Sequence, residues 1–212
     1  MTTAEPHTTT TAEDMAAVCR GLAAAGLSPG SSGNVSVRIP GGFLTTPTGR
    51  PLGTLAAADL SVLDRDGRHR AGPPPTKEVP LHLRLYALNR ATQAVVHLHS
   101  PYAVAAACLE PDDPSSALPP YTPYAVMRLG PAVPLLPYAR PGSEHLAALA
   151  DRLPPGTRAC LLANHGSLTR AGSLDTAAQA AVELEESARL HLLLAPRAGV
   201  RPLTAEQCAE LR

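Results

Sequence analysis

The chain has 212 residues, a length that favours one domain, and 44% of its residues are hydrophobic, which is enough for a packed core. Eighteen basic and 18 acidic residues give a formal charge of zero without a basic block, which argues against non-specific nucleic-acid binding. No apolar run reaches the length of about 18 residues that indicates a membrane span, so we expect a cytoplasmic protein without membrane partners.

The first residues are rich in threonine and include neither a basic segment nor an apolar one, so they do not resemble a signal peptide. We predict a disordered lead over 1–11 and one domain over 12–212. We interpret all four cysteines as buried thiols, because they have no CxxC spacing. They are Cys19, Cys108, Cys160 and Cys208.

Apolar periodicity divides the rest of the chain into interleaved helices and strands. In chain order the predicted elements are a helix over 12–27, strands over 35–39, 43–46 and 60–63, a turn over 64–72, a helix over 76–89, a strand over 94–99, a helix over 102–109, a strand over 133–137, a helix over 143–153, a strand over 159–164, and helices over 174–194 and 204–211. This order indicates a single α/β domain. The hairpin-like connections favour a mixed or antiparallel sheet.

Two histidines lie two residues apart in the predicted strand over 94–99. Side chains alternate across a strand, so His97 and His99 project from the same face, while Ala94, Val96 and Leu98 can pack on the other. Imidazoles in an apolar strand need a partner. A divalent ion such as zinc is one solution, and hydrogen bonding within the core is the other.

Further polar residues lie where a site could form. His165 follows an apolar strand and precedes a glycine, and Glu78 lies in the first turn of a predicted helix. Each has an ordinary structural explanation when it is considered alone, as a core histidine or a helix-dipole partner. The loops over 30–34 and 46–49 are rich in small and hydroxyl residues, which suit either phosphate binding or simple turns.

The order of these motifs resembles the class II aldolase/adducin-head family over nearly the whole chain. The motifs are Gly-Ser-Ser-Gly-Asn at 30–34, Thr-Pro-Thr-Gly at 46–49, Lys-Glu at 77–78, His-Leu-His at 97–99 and Asn-His-Gly at 164–166. The segments 76–79, 122–130 and 138–142 are most similar to its 3-oxo-tetronate 4-phosphate decarboxylase branch. One departure is Ser167, which stands where that branch commonly has proline.

The resemblance implies a single three-layer α/β domain with a mainly antiparallel central sheet between helices, assembled as a homotetramer. It implies zinc, with manganese or cobalt as options, bound by His97, His99, His165 and Glu78. Glu78 would leave the metal when substrate binds and act as the proton carrier. The implied reaction of carbohydrate metabolism is decarboxylation of a 3-oxo-tetronate 4-phosphate to dihydroxyacetone phosphate and CO2 through a metal-stabilised enediolate.

The resemblance also implies a set of substrate-binding residues. Those assigned to the phosphate are Ser31, Gly33, Asn34, Thr48, Gly49, Thr76 and Lys77. Lys77 could contact the phosphate or the departing carboxylate, or be a solvated lysine. Tyr124 matches a tyrosine that reaches a neighbouring subunit's site, where it is either an acid or interface packing. Arg128 and Arg140 are further candidates for the carboxylate.

Several alternatives remain open at this point. An aldolase that cleaves a ketose 1-phosphate of the fuculose or rhamnulose type would use the same metal site, as would a dehydratase of a methylthio-sugar phosphate. Lys77 and the segment 124–128 favour the decarboxylase. An adducin-like binding module is a non-enzymatic option, although all four predicted ligands are present. We expect Glu183 and Glu185 on the solvated face or an interface of the long helix.

Overall fold

The computed structural model describes residues 11–211, in which helices lie on both sides of one sheet. The helices are α1 (Ala12–Ala24), α2 (Val79–Leu88), α3 (Pro101–Ala107), α4 (Pro123–Leu129), α5 (Glu144–Leu149), α6 (Leu174–Leu194) and α7 (Ala205–Ala209). The strands are β1 (Asn34–Ile39), β2 (Gly42–Thr45), β3 (Ser61–Asp64), β4 (His69–Ala71), β5 (Ala94–Leu98), β6 (Leu135–Leu136), β7 (Ala159–Leu162) and β8 (Gly166–Ala171).

The eight described strands have the order β4-β3-β2-β1-β5-β8-β7-β6. Every neighbouring pair is antiparallel except β6 and β7, which are parallel. Strands β1, β5 and β8 therefore lie in the middle of the sheet. The structure confirms the predicted α/β domain with a mainly antiparallel sheet.

Strand β5 shows how the sheet separates two hydrophobic layers. Ala94, Val96 and Leu98 face one layer, where they pack with residues of α1 and α6. Val95 faces the other layer, where it packs with residues of α2 and α5. His97 has the same parity as Val95 and therefore points toward α2. This alternation puts the imidazole face of β5 opposite the helix that follows Glu78.

Three of the helices and strands named above were not predicted, and α4 is the one with a clear local signal. Helix α4 begins with a Thr122 side-chain cap and a proline and ends before Gly130, a start and stop pattern that the sequence displays. Strand β8 mixes polar and apolar residues, yet it is buried because it pairs on both edges. Strand β4 is a short exposed strand inside the predicted turn over 64–72.

One of the four cysteines differs from expectation, and most of the predicted lead cannot be compared with the structure. Residues 1–10 of the predicted lead lie outside the described residues, and Thr11 caps α1 by accepting a hydrogen bond from the Asp14 amide at 3.1 Å. Cys108 is exposed, so the prediction that all four thiols are buried is wrong there. It follows the last turn of α3, whose buried face is built from alanines. Within 11–211 we find no helix with the length and apolarity needed to cross a membrane.

Candidate metal centre

Three histidines from two loops and one strand end meet beside α2. The ring centroids of His97, His99 and His165 are 4.7 to 4.8 Å apart in all three pairs, so the rings form a nearly equilateral triangle. One ligand nitrogen from each ring lies within 4.8 Å of the others. The Nε2 atoms of His97 and His99 are 2.9 Å apart. The structure thus brings together the three histidines that the sequence singled out.

The hairpin between β7 and β8 explains how His165 reaches this triangle. The loop is Ala163, Asn164 and His165, and its Asn164 has a φ of +56°, a conformation that asparagine tolerates better than most residues. The amide of Asn164 donates to the Ala107 carbonyl at 2.9 Å, which ties the loop to α3. The histidine therefore follows a turn of defined shape rather than a free loop.

One hydrogen bond sets the tautomer of His97. Its Nδ1 lies 2.8 Å from the carbonyl oxygen of Ser167 on the neighbouring strand β8. A carbonyl only accepts, so Nδ1 carries the proton and Nε2 presents a lone pair to the cluster. Histidines that bind a metal through one ring nitrogen commonly donate such a hydrogen bond from the other.

Glu78 faces the same cluster from the start of α2. Its Oε2 lies 3.1 Å from His97 Nε2, and its Oε1 lies 3.5 Å from His165 Nε2. The side-chain amide of Asn34 donates to Oε2 at 2.9 Å. Glu78 is the N-terminal capping residue of α2, but its side chain makes no capping bond. The carboxylate is therefore available to the histidines.

Helix α2 is held against β1 by three successive polar contacts. Two strand residues span about 6.7 Å and four helical residues span about 6 Å, so every second residue of β1 can meet every fourth residue of α2. Asn34 contacts Glu78, and Ser36 Oγ lies 2.6 Å from His82 Nδ1 and 2.9 Å from the Tyr86 hydroxyl. The guanidinium of Arg38 lies 4.9 Å from the Tyr86 ring centroid. These contacts fix the helix in register with the strand and hold Glu78 in place.

Gly166 allows strand β8 to approach the end of β5 and the ring of His99 closely. A Cβ at this position would lie 2.3 Å from the Leu98 carbonyl oxygen and 3.2 Å from Cδ2 of His99. Any side chain there would push β8 away from β5 and disturb the His99 ring. The glycine of the Asn-His-Gly motif is therefore a steric requirement of the cluster.

The pKa values of the cluster favour neutral rings around a carboxylate. Burial lowers the pKa of His165 to about 4, with a further lowering from His97. Burial also lowers the pKa values of His97 and His99. Burial alone would raise the pKa of Glu78, but the charge of His97 in its protonated form and the hydrogen bond from the Asn34 amide outweigh it and lower that pKa.

The donor set fits a divalent transition metal. Imidazole nitrogens and carboxylate oxygens are both ligands that zinc takes in catalytic sites, where three protein ligands leave a further position open. Oε1 of Glu78 and Nδ1 of His165 are buried and have no hydrogen-bond partner among the described residues. Lone pairs of His97 and Glu78 face each other at 3.1 Å, an arrangement that a cation between them would stabilise. The residues present could therefore hold such an ion.

The predicted phosphate-binding segments are joined to one another at the end of β1. The Thr46 amide donates to the Val35 carbonyl, and the Thr76 amide donates to the Thr46 carbonyl, both at 3.0 Å. Gly33 has a φ of +80°, and a Cβ there would lie 3.0 Å from the His97 carbonyl oxygen. The three loops over 31–34, 46–49 and 76–78 thus lie together beside the histidines.

Exposure differs among the predicted substrate-binding residues. Ser31, Thr48, Gly49 and Lys77 are exposed, whereas Asn34 and Thr76 are buried. The buried pair already has partners within the chain. Asn34 bonds Glu78, and Thr76 Oγ1 accepts from the Glu78 amide at 3.2 Å. Both residues therefore orient Glu78, whichever contacts they make with a substrate.

Tyr124 and the two candidate arginines form no side-chain hydrogen bond or ion pair with the histidines or Glu78 among the described residues. Tyr124 is 64% exposed on α4, and the Arg128 guanidinium lies 5.9 Å from its ring centroid. Arg128 also lies 3.6 Å from a carboxylate oxygen of Glu183. Arg140 is exposed. A single chain therefore leaves Tyr124 facing outward.

Of the two positions expected for Glu185, the solvated face is wrong. Glu185 is only 8% exposed and accepts hydrogen bonds from the amides of Tyr102 and Ala103, so it lies where α6 packs against α3. The Ser167 carbonyl that orients His97 was also missed. No local sequence pattern predicts the contact of Ser167 with His97 or the contacts of Glu185, because each joins residues 70 or more positions apart.

Similarity to known proteins can now be considered against this geometry. Residues 13–192 match the family model described as the class II aldolase and adducin N-terminal domain. The chain belongs to this family. It is 44% identical over 201 residues to the 3-oxo-tetronate 4-phosphate decarboxylase of Escherichia coli strain K12, an alignment that covers 94% of each protein. This class II aldolase family member is therefore an enzyme of the lyase class.

Two further relatives extend the comparison. The crystal structure of YgbL from Escherichia coli superposes with a TM-score of 0.89 at 43% identity, covering 95% of this chain and 97% of that one. L-fuculose phosphate aldolase of Haemophilus influenzae is 34% identical over 177 residues, covering 83% of this chain and 79% of the aldolase. A decarboxylase and an aldolase each break a carbon–carbon bond, and the decarboxylase of Escherichia coli K12 is more similar to this chain than the aldolase of Haemophilus influenzae is.

Proposed function

We propose that the protein is a zinc-dependent decarboxylase that converts a 3-oxo-tetronate 4-phosphate into dihydroxyacetone phosphate and CO2. The observation that carries the proposal is 44% identity to a decarboxylase of that name over 94% of both chains. The alternative, an aldolase acting on a ketose 1-phosphate, rests on 34% identity over a shorter alignment. The domain boundaries of 12–212 belong to the same proposal.

His97, His99, His165 and Glu78 are the proposed ligands of the metal. When bound, the cation would act as a Lewis acid toward the oxygens on C2 and C3 of the substrate and stabilise the enediolate that forms as CO2 leaves. Burial keeps the three imidazoles neutral, so these three ligands by themselves leave the cation's charge uncompensated once Glu78 has moved away to carry the proton. Manganese or cobalt would satisfy the same donors.

Glu78 is the proposed proton carrier. Loss of CO2 leaves an electron pair on C2, and a proton taken from solvent must reach that carbon to complete the product. Glu78 has the reach for this role because its carboxylate faces the histidines and is not engaged in capping α2. General acid catalysis of this kind is worth about 10²–10⁴-fold in rate. Asn34 and the backbone amide contact to Thr76 keep the carboxylate oriented.

The phosphate of the substrate is proposed to bind Ser31, Gly33, Asn34, Thr48, Gly49, Thr76 and Lys77. The joining of their three loops beside the histidines supports this assignment. Lys77 adjoins Glu78 and is exposed, so its ammonium can reach either the phosphate or the departing carboxylate. Tyr124 is proposed to complete the site of a neighbouring subunit in a homotetramer, consistent with its exposure. The tetramer and a cytoplasmic location stay predictions.

The test is an assay coupled to dihydroxyacetone phosphate, with zinc-loaded protein and the erythro and threo acid phosphates offered beside fuculose 1-phosphate. We expect product from an acid phosphate only. Glu78→Gln should lose at least 10²-fold in rate, in line with the contribution of a general acid, and His97→Ala should lose bound metal as well. The matched control is His145→Ala, because His145 is an exposed histidine outside the cluster. Product from fuculose 1-phosphate alone would establish the aldolase instead.

A further inference from the structure

A buried carboxylate outside the metal cluster is engaged with the backbone beside it. Glu185, in the middle of α6, accepts from the amide of Tyr102 at 2.9 Å through Oε1 and from the amide of Ala103 at 2.8 Å through Oε2. Both donors belong to the first turn of α3. The two bonds connect segments that are 83 and 82 residues apart in sequence.

Glu185 caps the N-terminus of α3 in place of the local N-cap residue. Ser100 holds the N-cap position of α3, where a serine side chain ordinarily accepts from the second or third amide of the helix. Here Ser100 makes no capping bond, and its buried hydroxyl has no partner among the described residues. The amides of the second and third residues of α3 are the two that donate to Glu185. The cap of α3 is therefore supplied by α6.

This cap lies next to a proposed metal ligand. Strand β5 ends at Leu98 and α3 begins at Pro101, so His99 and Ser100 alone connect them. The pairing of β5 with β8 holds the first end of this connection. Glu185 holds the second end. His99 has no hydrogen bond to Nδ1 within the described chain, in contrast to His97, which is oriented by the Ser167 carbonyl.

The packing between the two helices makes the restraint stiff. Ala103, Ala106 and Ala107 of α3 lie in one hydrophobic cluster with Ala180, Leu184 and Ala188 of α6. Small side chains allow the helix backbones to approach closely, which lets the short glutamate side chain span the gap. A buried carboxylate that accepts two amide bonds is costly to displace, because its charge would lose both partners.

We propose that Glu185 is a positioning residue that holds His99 at the metal centre by capping the helix that follows it. This inference rests on the metal site in the proposed function. Loss of the cap would free the start of α3 and the two-residue connection, and His99 would spend less time in its ligating position. The effect would reach the metal through the backbone, without any contact between Glu185 and the ion.

The experiment measures the zinc dissociation constant by competition with a chromogenic chelator, together with the thermal midpoint and the visible spectrum of the cobalt-loaded protein. The variants are Glu185→Ala and Glu185→Gln, the second of which keeps one acceptor oxygen. The matched control is Ser143→Ala, because Ser143 caps α5 through the Leu146 amide and lies outside the cluster.

We expect Glu185→Ala to weaken zinc binding about 10- to 100-fold and to change the cobalt spectrum, as loss of an orienting residue around a metal site does. Glu185→Gln should fall between this variant and the wild type. Ser143→Ala should lower the thermal midpoint but keep the zinc dissociation constant within about twofold, since a cap by itself contributes only to stability.

Zinc affinity in Glu185→Ala within about twofold of the wild type would overturn the inference, whatever happens to its stability. If that variant does not fold, the comparison of Glu185→Gln with the wild type decides in the same way. A wild-type protein that binds no divalent metal would overturn both the inference and the proposed metal site. Normal wild-type binding with an unaffected variant would overturn the inference alone.

Discussion

Replacement of Gly166 by alanine should damage both the fold and the metal centre. The added Cβ would lie 2.3 Å from the Leu98 carbonyl oxygen, and real Cβ atoms essentially never approach closer than 3.0 Å. The contact must open by about 0.7 Å, and the obstacle is the backbone of a central strand rather than a flexible side chain. The variant must therefore separate β8 from β5.

Overpacking of this kind costs typically 1–3 kcal/mol, and we expect the upper end, about 3 kcal/mol, because a rigid backbone is displaced. In a chain of this length that corresponds to a fall of roughly 6–12 °C in thermal midpoint. The measurement is urea unfolding followed by circular dichroism, with a thermal scan beside it. The zinc dissociation constant should also rise, because the same Cβ would lie 3.2 Å from the His99 ring.

Gly172→Ala is the matched control. A Cβ at Gly172 meets only the Ala91 carbonyl oxygen at 3.7 Å, an ordinary contact distance. Gly-to-Ala changes without strain stabilise proteins by about 0.4–1 kcal/mol, so this variant should unfold no more easily than the wild type. An unfolding free energy for Gly166→Ala within about 0.5 kcal/mol of the wild type would refute the steric argument.

Three other measurements follow from the structure. Burial lowers the pKa of His82 to about 3. As the pH falls from about 6.5 to about 3, the unfolded state therefore protonates at His82 before the folded state does, and the free energy of unfolding should drop by up to about 1.4 kcal/mol for each unit by which the pH falls. An unchanged slope of this free energy against pH in His82→Gln would contradict the prediction. Burial raises the pKa values of Cys19 and Cys160 to about 12, so a thiol reagent at pH 8 should modify exposed Cys108 and leave these two intact in mass-spectrometric peptide maps. Removal of metal by a chelator should abolish activity, and added zinc should restore it. The thermal midpoint should fall by roughly 5–11 °C relative to protein in zinc at 100 times its dissociation constant. A midpoint independent of zinc would exclude a metal that binds selectively to the folded state.

The elements with strong local patterns were predictable. The bounds of α6 agree with the prediction over 174–194, because a long apolar stripe and a serine cap mark them. Strand β5 agrees to within one residue, because its run of apolar residues is bounded by polar ones. Helix α2 begins three residues later than predicted, at Val79, because Thr76 engages the Glu78 amide in a turn that precedes the helix.

Strand β8 and the cap from Glu185 were not predictable in the same way. The polar residues of β8 break the alternation expected of a half-exposed strand, and they are buried only because neighbours cover both edges and both faces. Glu185 belongs to a run of acidic residues on a long helix, a pattern typical of a solvated face. Only the docking of α3 onto α6 brings its carboxylate to two backbone amides.

The sequence by itself determined which residues are the candidates for the chemistry. The two-residue spacing of His97 and His99 puts their rings on one face of any extended strand, and the order of the motifs identifies the family. The tertiary structure decided how these side chains are oriented: the Ser167 carbonyl orients His97, Asn34 orients Glu78, and Gly166 makes room for His99. The physical reason is the separation along the chain between the residues that interact. Spacing along a strand is a local property of the backbone, whereas hydrogen bonds and close contacts across 44 to 70 residues exist only once the sheet and helices have packed.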